Sequence, residues 1–156
     1  MDSKRRTFLK GTLAVGAVGV AVGAGLLAPR RVLAAWPKSA FEAKSVQDAL
    51  KAVVGTDLTE ASGKVKVKAP DIAENGAVVP VTVTASIDGV DAMAIFVEKN
   101  PQPLTSSYEL SPAALGFVST RIKMGKTSDV IAVAKAGGKV YSARKEVKVT
   151  IGGCGG

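Results

Sequence analysis

The chain has 156 residues, with 21 Lys or Arg against 13 Asp or Glu, a formal net charge of +8, no histidine and one cysteine. Without histidine there is no Cys–His hydrolase, and one sulfur supplies only one of the several ligands that a metal site needs. Much of the positive charge sits at the N-terminus. Residues 1–34 hold Lys4, Arg5, Arg6, Lys10, Arg30 and Arg31 against Asp2, so the rest carries 15 basic and 12 acidic residues, a net +3. Those remaining 122 residues suit one domain with one core, and mild basicity is a weak argument for a nucleic-acid partner.

Lys4-Arg5-Arg6-Thr7-Phe8-Leu9-Lys10 opens the chain with positive charge. A Gly- and Ala-rich apolar stretch runs from Gly11 to about Ala28, and Pro29-Arg30-Arg31 precedes Val32-Leu33-Ala34-Ala35. This order of basic, apolar and small residues predicts a cleaved export signal over residues 1–34. The cut is expected after Ala34, with Ala35 as the alternative. Arg5 and Arg6 resemble the twin-arginine motif, with Lys4 in place of the usual serine, so the chain is expected in the periplasm by that route. The other reading is an uncleaved anchor. The apolar stretch is only weakly hydrophobic, so no stable membrane anchor is expected.

Residues 35–151 read as a single domain. From Ser39 to Val54 the apolar residues Phe41, Val46, Ala49, Leu50, Val53 and Val54 recur near helical spacing. Ser45 with Asp48 forms a candidate capping box, and Gly55 is a natural stop. Beyond Gly55 the period changes to two. Lys64-Val65-Lys66-Val67-Lys68 alternates, either as a basic stripe for an acidic partner or as an edge strand guarded by lysines. No aromatic residue interleaves with these lysines, which argues against a nucleic-acid surface. Val81, Val83, Ala85 and Ile87 alternate with hydroxyl residues as in a half-buried strand, and Asp88-Gly89 marks a turn. Met93 to Val97 is the return strand, broken by Asn100-Pro101-Gln102-Pro103. Leu115 to Met124 and Val130 to Ala134 are further strands, a Gly137-Gly138 turn leads to Val140-Tyr141, and Val147, Val149 and Ile151 line one face of the last strand. Short strands joined by Gly, Asn and Asp turns predict a mostly β fold: an immunoglobulin-like antiparallel β-sandwich with a short N-terminal helix.

Residues 152–156, Gly152-Gly153-Cys154-Gly155-Gly156, form a separate C-terminal arm. Glycine has no Cβ and reaches φ > 0 as readily as φ < 0, so the arm is expected to be flexible and its thiol unshielded by side chains. A structural cysteine behaves instead as a small core hydrophobe. If Ile151 is anchored, three residues give Cys154 a reach of roughly 10 Å. A lone cysteine in an exported chain points to intermolecular pairing or to a free reactive thiol. Cys154 is neither at a mature N-terminus, as a lipobox needs, nor four residues from the end, as prenylation needs. The chemistry left is covalent carriage, in which other proteins act on a group held by the thiol. Two other readings stay open. One is a binding or structural sandwich that uses Cys154 for disulfide dimerisation. The other is a β-grasp carrier that uses the terminal carboxylate of Gly155-Gly156, which would require ATP where the leader sends the chain.

The ending from Val147 to Gly156 resembles that of SoxY, the sulfur-carrying family of the thiosulfate-oxidising Sox system. Three other segments resemble the same family: Ala73-Glu74-Asn75-Gly76-Ala77-Val78-Val79-Pro80-Val81, Glu98-Lys99-Asn100-Pro101-Gln102-Pro103-Leu104 and Ser119-Thr120-Arg121-Ile122-Lys123-Met124. The resemblance implies a carrier that is not itself an enzyme and holds no cofactor. Cys154 is then the attachment site, and Gly152, Gly153, Gly155 and Gly156 let the arm enter a narrow channel. The implied partners are a SoxZ-like subunit in a heterodimer, a SoxXA-like haem enzyme that attaches thiosulfate, a manganese-dependent SoxB-like hydrolase and, where present, a SoxCD-like sulfane dehydrogenase.

Overall fold

The computed structural model describes residues 38–151. The expected export signal with Arg5 and Arg6 lies outside the described residues, and so do Gly152, Gly153, Cys154, Gly155 and Gly156, the expected arm.

The helical stretch is two helices, α1 (Lys38–Glu42) and α2 (Val46–Val54). The break falls at Ser45, which is extended at φ −123° and ψ 153° and caps α2. Its hydroxyl accepts from the Asp48 N–H at 3.1 Å and donates to the Asp48 carboxylate at 2.7 Å. Asp48 is too short to reach back to the Ser45 amide as a Glu would, so only half of the expected capping box forms. Gly55 ends α2 at φ +83°, a conformation that penalises any Cβ.

Nine strands follow: β1 (Glu60–Ala61), β2 (Val65–Lys68), β3 (Ile72–Ala73), β4 (Val79–Ala85), β5 (Val90–Val97), β6 (Leu104–Glu109), β7 (Phe117–Ile122), β8 (Ser128–Ala136) and β9 (Lys139–Val149). One sheet has the order β1-β9-β8-β5-β6, with β3 also on β9, and the other has the order β2-β4-β7. Hairpins β5–β6 and β8–β9 stay within the larger sheet, while β4–β5, β6–β7 and β7–β8 cross between sheets. This is the immunoglobulin-like sandwich, with β2-β4-β7 as one sheet and β9-β8-β5-β6 as the other. The main ladders are antiparallel, whereas the two-residue strands β1 and β3 pair with β9 in parallel. Val140-Tyr141 and the last strand are one continuous β9, and β6 lies in a stretch that carries no strand signal.

The inner faces of the sheets meet in a core that includes Val79, Val81 and Val83 of β4, Met93, Ile95 and Val97 of β5, and Val130, Ala132 and Ala134 of β8. A second core lies on the other side of the larger sheet. There Ala49, Leu50 and Val54 of α2 cover Ala94 and Phe96 of β5 and Ile131 and Val133 of β8. β5 and β8 are therefore buried on both faces. That is why Met93 to Val97 is an unbroken apolar run, while β4, with one open face, alternates. Among the described residues, nothing covers the outer face of β2-β4-β7 in this way.

Candidate functional site

The site is the root of the arm, where β9 ends. The Val149 N–H donates to Thr127 Oγ1 at 2.9 Å. The Thr150 N–H donates to the Ala73 carbonyl at 3.1 Å, and Thr150 Oγ1 donates to the Glu74 carbonyl at 3.1 Å. The Ile151 carbonyl accepts from the Gly76 N–H at 2.8 Å. Each of the last three described residues is thus bonded to the body, and the anchor that the sequence expectation required is present. One turn back, the Lys148 N–H donates to the Asp71 carbonyl at 3.0 Å, and the Lys145 ammonium pairs with the Asp71 carboxylate at 2.9 Å.

These bonds continue across the whole end of the sandwich. Asn75 folds its side chain onto the Ala77 N–H at 2.8 Å, a tight Asx-type turn that presents the buried Gly76. The Gly76 carbonyl accepts from the Met124 N–H at 2.7 Å. Beside Met124, the Lys123 carbonyl accepts from Asn100 Nδ2 at 2.8 Å, and Asn100 Oδ1 accepts from the Gly125 N–H at 3.1 Å. Next to Asn100, the Lys99 N–H donates to the buried Ser128 Oγ at 3.0 Å. The Val97 N–H closes the turn on the Pro103 carbonyl at 2.8 Å.

The three segments that resemble SoxY sequences, around Gly76, Asn100 and Met124, are far apart in the chain. Here they form one hydrogen-bonded rim around the arm root. Sequence reasoning singled them out separately and missed Thr127 and Thr150, whose hydroxyls tie the last strand down. The turn residues Asn75, Gly76 and Asn100 are the signal that could have found the rim.

Behind the rim stands an ion-paired cluster. Arg144 Nη1 lies 3.2 Å from a Glu98 carboxylate oxygen and 3.8 Å from one of Asp129. This cluster borders a shallow cavity of about 300 Å³ that reaches the start of α2 at Ser45 and Val46. One carboxyl has a displaced titration: the hydrogen bond from Lys51 at 3.0 Å holds Asp57 below its ordinary value. None of these groups bonds to the arm root among the described residues. The rim is a hydrogen-bonded base at the end of β9.

A family model described as "Sulfur oxidation protein SoxY" matches residues 50–154, so its last matched residue is Cys154. The chain is similar to a solved structure, the sulfur carrier protein SoxY from Chlorobium limicola f thiosulfatophilum. The identity is 46%, over 67% of this chain and 94% of that one, with a TM-score of 0.60. An engineered protein matches over 56% of this chain and 20% of its own at 16% identity and a TM-score of 0.39, too slight a likeness to bear on fold or function. A comparison with curated protein sequences gave no match.

Proposed function

Because this chain belongs to the SoxY family of sulfur oxidation proteins, we propose that it is the covalent sulfur carrier of a thiosulfate-oxidising system, with Cys154 as the attachment site. The observation that carries this reading is the position of the sole cysteine, three residues beyond the anchored Ile151 and between two Gly-Gly pairs. Three residues of chain set the furthest reach of that thiol at roughly 10 Å from Ile151.

The chemistry balances without any catalytic group on this chain. Thiosulfate and the Cys154 thiol join through a new S–S bond to give a cysteine S-thiosulfonate, with loss of two electrons and one proton. A SoxXA-like haem enzyme takes the electrons. Water then attacks the terminal sulfonate sulfur in a SoxB-like hydrolase, and the S–S bond breaks. Sulfate leaves, and a persulfide stays on Cys154. A SoxCD-like sulfane dehydrogenase, or another acceptor, deals with the remaining sulfur. A SoxZ-like subunit completes the carrier as a heterodimer. Gly152, Gly153, Gly155 and Gly156 keep the arm narrow enough for an enzyme channel. Arg5 and Arg6 direct export through the twin-arginine route, which places the carrier in the periplasm.

Incubation with thiosulfate and the haem enzyme tests this reading. The wild-type chain gains a thiosulfonate, and Cys154→Ser gains none while unfolding at the same temperature. A serine variant that still acquired sulfur would overturn it.

A further inference from the structure

The outer face of β2-β4-β7 plays no part in the arm root. In register across it stand Lys66, Thr84 and Phe117, then Lys68, Thr82 and Ser119, with Arg121 beside Pro80. Alternation turns all of these outward while Val65, Val81, Val83, Val118 and Ile122 turn inward. No acidic residue stands on these strands. Lys64, at the head of β2, adds a fourth exposed cation. None of Lys64, Lys66, Lys68 and Arg121 takes part in an ion pair among the described residues.

Two large apolar side chains project at one end of this face, Leu115 (82% exposed) and Phe117 (54%). The turn that carries them is held firmly. The Ala85 N–H donates to the Gly116 carbonyl at 2.7 Å, and a Cβ on Gly116 would lie 2.6 Å from the Ala85 carbonyl oxygen. Only glycine allows that approach. This end of β4 is opposite the arm root, because Gly76, which bonds to Ile151, lies just before the start of β4. Six strand residues separate the two ends by roughly 20 Å.

We propose that this face lies on an anionic phospholipid surface, with the lysines and Arg121 at the headgroups and Leu115 and Phe117 inserted between them. Clustered cations beside exposed apolar side chains suit that surface. An acidic protein is the competing occupant, separated from lipid by the vesicle measurements. The inference does not depend on the sulfur chemistry of Cys154.

Co-sedimentation of residues 35–156 with vesicles tests it. The chain is expected to bind phosphatidylglycerol vesicles, to ignore pure phosphatidylcholine and to release as NaCl rises. Lys66→Glu with Lys68→Glu lowers the partition coefficient at least about tenfold. Lys44→Glu with Lys99→Glu makes the same change in net charge off the face and has a much smaller effect. Leu115→Ser with Phe117→Ser weakens binding and leaves its salt dependence. Equal binding to both lipids, or equal losses from the two charge-reversed pairs, would overturn the proposal. So would a chain that ignores phosphatidylglycerol but loses a protein partner when Lys66 and Lys68 are reversed, because the face would then be a protein interface.

Discussion

Asn100 is the joint between the β5–β6 turn and the loop that holds Gly76 against the arm root, and its two amide bonds make its replacement informative. Asn100→Ala removes the donation to the Lys123 carbonyl and the acceptance from the Gly125 N–H. A net 0.5–1.5 kcal/mol for each bond, at a half-buried side chain, gives a loss of about 1–2 kcal/mol. For a domain of this size that lowers Tm by about 4–8 °C. Asn100→Asp keeps the acceptor for Gly125 but turns a carboxylate oxygen toward the Lys123 carbonyl. That contact raises the Asp pKa in the folded state above the ordinary value of about 3.9, since only the protonated form can donate there. The deficit against the parent chain is therefore full at neutral pH and shrinks as pH falls through the folded pKa. The deficit of Asn100→Ala does not change with pH in this way. Thermal unfolding of the parent and both variants between pH 3.5 and 7, each pair compared at one pH, reads this directly. An alanine variant within about 1 °C of the parent, or an aspartate variant with a constant deficit, would refute the bonded rim.

Three further outcomes are expected. Gly116→Ala sets a Cβ 2.6 Å from the Ala85 carbonyl oxygen and costs about 2–3 kcal/mol by denaturant unfolding, whereas Gly63→Ala, with open space around its Cβ, changes stability by less than about 0.5 kcal/mol. Ser106 Oγ is buried with no hydrogen-bond partner, so Ser106→Ala leaves stability unchanged or raises it by up to about 1 kcal/mol, and a clear loss would reveal a missed partner. The Asp57 carboxyl titrates below its ordinary value because Lys51 donates to it. The small stabilisation from this exposed pair is present above about pH 4 and disappears as pH falls through the folded pKa. Lys51→Met raises the Asp57 titration, followed by NMR, toward the ordinary value.

Much of the fold is legible because physical constraints act locally. The hydroxyl of Ser45 and the missing Cβ of Gly55 set the ends of α2. The alternation of Val79 to Ala85 marks a strand with one open face. Gly137 and Gly138, at φ +57° and +77°, make the β8–β9 turn as their pairing predicts. Lys66 and Lys68 do stand on an edge strand, as the alternating lysines allow. β6 escapes notice because Leu104-Thr105-Ser106-Ser107-Tyr108-Glu109 is an edge strand with hydroxyls on both faces, which leaves no alternation to read. β9 looks broken because its middle, Arg144-Lys145-Glu146, is charged. Arg144 and Glu146 face solvent and Lys145 is half-buried in its ion pair with Asp71, while Val140 and Val147 hold the two ends in the cores. β1 and β3 are too short to carry a pattern. The rim is a tertiary object in which Gly76, Asn100, Thr127 and Thr150 meet only after the sheets pack, so no sequence window contains it.

The central claim concerns Cys154, and the most direct test is the intact mass of the mature chain from thiosulfate-grown cells, before and after reductant. The account predicts a sulfur-containing adduct that maps to Cys154 and is lost on reduction. A thiol that stays bare in the cells, and again after incubation with thiosulfate and the haem enzyme, would contradict it.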